Sequence, residues 1–251
     1  MNAIIKINQK DYKIDLSQAI DISIPLKPGS QNVNAWYVDP VKIEAVQTEQ
    51  FIGSVKLGGS VNFRNITFNP HGNGTHTECV GHISVEEYSI NECLKTFFFI
   101  AQLATINPEL MENGDRVITL EQIQSIAMNP KIEAFIVRTT PNSSSKRTKQ
   151  YSNSNPPYIE GKAMSFLIEK GIKHFLIDLP SVDREMDEGK LNAHHIFWNY
   201  PENPALDRTI TELIYVANDV QDGVYLLNLQ IASFENDASP SKPVLYHLTE
   251  A

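Results

Sequence analysis

Residues 69–82 read Asn-Pro-His-Gly-Asn-Gly-Thr-His-Thr-Glu-Cys-Val-Gly-His, a stretch dense in groups that bind metal ions. His76, Glu78 and His82 are separated by even steps, so an extended strand points all three side chains to one face. A helix would set His76 opposite the other two. Imidazole with carboxylate suits zinc, manganese or iron, and Cys79, at an odd step, points away from such a site. The plain alternative is a surface loop of hydrogen-bonded histidines. Clustering argues against it, because five of the seven histidines fall within residues 71–82 and the pair His194-His195. A catalytic metal centre takes about three protein ligands and keeps a position open for water. With only Cys79 and Cys93 present, a cysteine-rich structural site is ruled out.

A chain of 251 residues, 41% of them hydrophobic, buries a substantial core and reads as one domain spanning residues 1–251. No stretch approaches the unbroken apolar length of a membrane span. The start, Met1 to Ile7, lacks the basic region, apolar core and cleavage site of a secretory signal. With too few cysteines for a disulfide framework, a soluble cytoplasmic protein is expected. The formal charge of -9 argues against a nucleic-acid partner and for a small-molecule substrate. The basic run Lys146-Arg147-Thr148-Lys149, set among serines and asparagines, reads as a solvated loop.

The site needs elements to hold it, and the patterning supplies them. Alternation from Ile5 to Leu16 around the polar Asn8-Gln9-Lys10-Asp11 predicts an N-terminal hairpin that Ile22-Ser23-Ile24 extends. Val55 to Leu57 and Val61 to Phe63, around Gly58-Gly59, predict a second hairpin. Ser84 to Glu87 and Thr119 to Gln122 have the form of capping boxes, the second opening a helix that Pro130 closes. Buried strands are expected at Phe97 to Ile100, Ala134 to Val137 and Phe175 to Ile177, with a helix from Ala163 to a C-terminal Gly171. Strand, helix and strand in that order imply a parallel pair. An apolar segment runs from Ile210 to Val216, and Val224 to Ile231 is the last clear strand. The polar segment 139–157 leaves the C-terminal end of a buried strand and is expected to border the site; a disordered surface insertion is the alternative.

These motifs resemble the cyclase family of metal-dependent hydrolases, which includes the bacterial kynurenine formamidases. The resemblance rests on Asp15-Leu16-Ser17, Gly74-Thr75-His76-x-Glu78-x-x-x-His82, Asp178-x-Pro180-Ser181-x-Asp183, Ala193-His194-His195, Thr211-Glu212-Leu213 and Asp237-Ala238-Ser239-Pro240, in the family's order. It implies an α/β fold, a mixed β-sheet or barrel with flanking helices, and one or two divalent metals, Zn2+ or Mn2+. It implies His76, Glu78, His194 and Glu212 as ligands, His82 as general acid or base, Trp36 as the substrate-contacting aromatic, and a homodimer or higher homo-oligomer. Read without the resemblance, His194 is a loop histidine and Glu212 a solvated charge. Asp178 and Asp183 read as turn-formers around Pro180, outside the site.

The chain departs from the family pattern in four places. Gly72 stands where the leading histidine is usual, Glu78 where aspartate is usual, and Val80 where proline is usual; the interval from His194 to Glu212 is also longer. His71 is one residue early, and it serves as a ligand if a bulge absorbs the extra residue. The expected activity is hydrolysis of a formamide-type amide or a lactone of a small molecule. The alternative is a catalytically inactive, metal-stabilised binding protein of the same fold.

Overall fold

The apolar runs become the wall of a barrel. In the computed structural model, which describes residues 1–7 and 9–251, the wall has seven strands. They are β1 (His76–Glu78), β2 (Phe98–Ile106), β3 (Ala134–Thr139), β4 (His174–Ile177), β5 (Thr209–Glu212), β6 (Gly223–Ile231) and β7 (Ala238–His247). They pair in the order β6-β2-β3-β4-β5-β1-β7, and a β6 to β7 ladder closes the ring. Strands β2 to β5 are parallel, as the strand, helix and strand order requires, whereas β1, β6 and β7 join antiparallel. The expected α/β mixed barrel is the observed architecture.

Strand β3 shows why these runs are apolar throughout. Phe135 and Val137 pack with residues of helices α4 (Gly161–Glu169) and α5 (Asn192–Trp198), while Ala134 and Ile136 join Leu103, Leu176 and Leu227 in a separate cluster between the strands. Both faces are buried, so polar alternation disappears. Gly161 lets the two helices meet, because a Cβ there would lie 2.3 Å from Asn192 Nδ2. Gly171, at φ +87°, ends α4 in the left-handed conformation that its position predicts.

Several local expectations are corrected. Residues 55–63 form no hairpin: Val55–Leu57 is a 3-10 turn closed by left-handed Gly58. A Cβ on Gly59 would meet the Ile52 carbonyl at 1.9 Å, so this glycine serves a close chain approach instead of a hairpin turn. The paired segments here are Lys42–Ala45 with Arg64–Thr67 and Gln47–Thr48 with Phe51–Ile52. Ser84 caps nothing; its hydroxyl donates to the Glu86 carbonyl, and the next helix, α2 (Ile90–Cys93), is capped by Ser89. The Thr119 to Gln122 capping box is present, but its helix, α3 (Leu120–Gln124), is short, and Ser125 turns its hydroxyl back onto the Gln122 carbonyl. The N-terminal hairpin pairs Asn2–Ile7 with Lys10–Asp15, and Asn8, assigned to its turn, lies outside the described residues. Ile20–Asp21 pairs with β7 and not with that hairpin. Strand β7 follows the strand read as last; Pro240 and Pro243 disguise it, since proline within a run argues against a strand.

Candidate metal centre

Strand β1 is hydrogen-bonded on both sides, with His76 opposite Glu212 of β5 and Pro240 of β7. His76 and Glu78 share one face. On the other, the Thr77 and Thr211 hydroxyls meet at 2.8 Å and Cys79 joins the cluster between the strands, as its odd position predicts. The strand ends at Glu78, so His82 owes its place to the 3-10 turn Val80–His82 and not to strand alternation. His82 Nδ1 nonetheless lies 3.9 Å from Glu78 Oε2.

Glu78 is the hub. Its Oε2 lies 3.1 Å from His71 Nδ1 and 3.9 Å from His76 Nε2, and its Oε1 lies 3.2 Å from His194 Nε2. Glu212 faces the same space, 3.5 Å from His76 Nε2 and 3.8 Å from His194 Nε2. The structure thus brings together His71, His76, Glu78, His82, His194 and Glu212, which come from the segment before β1, β1 itself, the turn after it, α5 and β5. Trp36 lines the adjoining cavity of about 410 Å³, together with His71, His82, His194 and Glu212.

No strand bulge absorbs the early His71. Asn69 accepts the Gly72 N–H and Pro70 opens the one-turn helix α1 (Pro70–Asn73), which swings His71 onto Glu78. Position 72 itself has no room for a histidine: a Cβ would lie 2.5 Å from a Val38 methyl and 2.8 Å from the Ala35 carbonyl. The offset is therefore a substitution of one side chain's approach for another.

Two acids that hold the imidazoles went unassigned in the sequence. Asp183 is a partner of His194, with Oδ2 2.6 Å from Nδ1, and it also accepts the Ala193 and His194 backbone N–H groups. This corrects its reading as a turn-former. Asp237 lies 2.8 Å from His71 Nε2 and 3.4 Å from His82 Nδ1. Both acids stand in the quoted motifs, and the signal was the requirement that a metal-binding imidazole have its second nitrogen engaged. His76 meets it through Nδ1, which donates to the Gly74 carbonyl at 3.0 Å.

Burial opposes charge on His71, His194, Glu78 and Asp237, yet pairing prevails. His71 is held at about 10 by Asp237 and Glu78, and His194 at about 10 by Asp183 and Glu78. Glu78 is held well below the usual carboxylate range by His82, His194 and His71, and Asp237 is lowered by His71 and His82. The cluster also suits a cation. His76 Nε2 is buried with no hydrogen-bond partner among the described residues, a costly arrangement that a metal ion relieves. Ligand atoms of His71, His76 and Glu78 lie within 4.8 Å of one another, as do those of Glu78, His82 and His194, and of His71, His82 and Asp237.

Residues 139–157 flank the cavity without lining it. Asn153 and Asn155 give backbone N–H groups to Glu185, a lining residue, and Ser152 accepts the Tyr37 N–H next to Trp36. The basic run is exposed at Arg147, Thr148 and Lys149, as expected, but Lys146 turns inward, with Nζ 2.7 Å from buried Asp178. Lys149 lies over the Tyr151 ring. Asp178 stays outside the site and anchors this segment through the Thr139 N–H and hydroxyl.

The model of the family described as "Putative cyclase" matches residues 14–184, which include β1 and the loop carrying Asp183. The chain belongs to the cyclase family. Family relatives include the kynurenine formamidases of Bacillus cereus, 27% identical, and Bacillus cytotoxicus, 26% identical; each match covers 91% of this chain and 97% of the relative. Among solved structures, isatin hydrolase A from Ralstonia solanacearum superposes with a TM-score of 0.68 at 14% identity, covering 91% of each chain. A potential metal-dependent hydrolase with cyclase activity superposes with a TM-score of 0.65 at 15% identity, covering 91% of this chain and 97% of that one. These likenesses show that the family's fold is shared. No helix among the described residues is long and apolar enough to cross a membrane.

Proposed function

We propose that this protein is a metal-dependent hydrolase that cleaves a formamide-type amide or a lactone of a small molecule. The observation that carries it is the Glu78 hub: a buried carboxylate ringed by imidazoles, with His76 Nε2 buried and unpartnered among the described residues, beside a cavity of about 410 Å³. His71, His76, Glu78, His194 and Glu212 would hold one or two divalent ions; Zn2+ and Mn2+ both suit this donor set. A divalent ion bound there would supply Lewis acidity and a water nucleophile near neutral pH.

The chain's own residues do the rest. Trp36 provides an apolar wall for the substrate, and half-buried His82 faces the same cavity from the β1 side. Asp237, 3.4 Å from His82 Nδ1, orients that ring so that Nε2 carries the proton traffic to the leaving nitrogen or oxygen. His71 stacks on His82 with ring centroids 4.4 Å apart and limits its rotation. Asp183 holds His194 as the tautomer whose Nε2 is free to bind.

The reading as an inactive binding protein rests on the displacement of His71, and the 3.1 Å approach of His71 to Glu78 argues against it. Metal analysis followed by a screen of N-formyl amides, cyclic amides and lactones tests the proposal. Turnover that chelation abolishes and metal restores is expected; a metal-loaded protein inert towards all three classes would overturn it.

A further inference from the structure

The loop after β4 places Arg184 on the same cavity wall as His82 and Trp36, and its guanidinium is only partly used by the protein. Nε lies 3.0 Å from Asp115 Oδ2, and Nη1 donates to the Met186 carbonyl at 3.3 Å. Nη2 has no acceptor among the described residues, and the side chain is 41% exposed. Asp115 is a rigid anchor: it is buried and also accepts from Asn113, Asn155 and Tyr158. An arginine held at one edge by a fixed acid, with the rest of its fork open to a cavity, is arranged to receive an anion.

The neighbouring acids do not compete for it. Glu185 accepts backbone N–H groups from Asn153 and Asn155, and Asp187 accepts those of Gly189 and Leu191, so both carboxylates are spent on shaping the loops. Among the described cavity-lining residues, Arg184 is therefore the cation that is neither a histidine of the metal cluster nor fully paired. We infer that Arg184 is a specificity residue that binds a carboxylate on the non-reacting part of the substrate. This deepens the hydrolase reading and rests on it for the identity of the reacting bond.

The test compares formanilide with its ring-carboxylated counterparts, the formamidobenzoates, on the metal-loaded protein and its R184Q and R184K variants. R184Q should lose about 10- to 100-fold in kcat/KM on the carboxylated substrates, mainly through KM, the scale of a charge-assisted hydrogen bond. Formanilide turnover should stay within about twofold, and R184K should recover part of the loss. Equal losses on both substrates would assign Arg184 to holding the loop through Asp115 and overturn the inference, as would no loss on either. Calorimetric binding of the aminobenzoates separates this inference from the hydrolase reading. Binding that R184Q weakens supports the carboxylate site even if nothing is cleaved. Binding absent, or equal in parent and variant, overturns it even if formanilide is cleaved.

Discussion

Asp183→Asn should weaken metal binding without removing a ligand. Asp183 lies 2.6 Å from His194 Nδ1 and takes the Ala193 and His194 N–H groups, so it fixes both the tautomer and the position of the ring. Loss of such a supporting partner typically lowers metal affinity about 10- to 100-fold. At a metal concentration of about 100 times the parent's Kd, binding stabilises the parent by about 2.7 kcal/mol, and the same concentration stabilises the variant by only about 0.4 to 1.4 kcal/mol. For a chain of this length each kcal/mol moves Tm by about 2–4 °C. Metal should therefore raise the parent's Tm by about 5–10 °C and the variant's by about 1–6 °C. Thermal scans with and without chelator read both increments, and the metal-free scans separate any loss of the backbone hydrogen bonds from the loss of affinity. An Asp183→Asn increment equal to the parent's would refute the reasoning, because His194 would then need no anion behind it.

His82→Ala should keep its metal and lose on the order of a hundredfold or more in turnover; a variant that loses metal instead would make His82 a ligand. His71→Ala should lower metal content about as much as His76→Ala does, checked by metal analysis of purified protein, and unchanged content would take His71 out of the cage. His174 supplies a pH test away from the site. Burial depresses it to about 4, below its ordinary 6.5, so the folded state prefers the neutral ring while the unfolded chain takes up a proton sooner. Its contribution is complete above pH 6.5 and is lost as pH falls towards 4, amounting to about 3 kcal/mol by pH 4. Urea unfolding of the parent and His174→Asn at pH 7 and pH 4.5 should show a smaller decline in the variant, and equal declines would contradict this placement of the ring.

Much of the barrel could be read because β3 and β4 are apolar on both faces and α4 has helical spacing. The cluster could be read because imidazoles and carboxylates crowd into one short stretch. What escaped has physical causes. Strand β7 is half proline and serine at its start, so its ladder partners, and not its own propensity, make it a strand. Asp183 and Asp237 are ordinary loop residues until the barrel closes and sets each beside an imidazole. The route of His71 to Glu78 depended on a void that Val38 and Ala35 deny to position 72, and a packing fact of that kind has no signature in the spacing.

Strand β1 has no free edge: it is held by β5 on one side and β7 on the other, with His76 in register with Glu212 and Pro240. A slip of one residue would turn His76 and Glu78 into the core and Thr77 out, so the ladders fix the two side chains in an all-or-none way. The cavity walls have no such constraint. Trp36, Val38, Ser181, Arg184 and Leu191 stand on connecting segments that cross no ladder of the barrel. The frame thus pins His76 and Glu78 in place while leaving the chamber around them free to be reshaped one residue at a time.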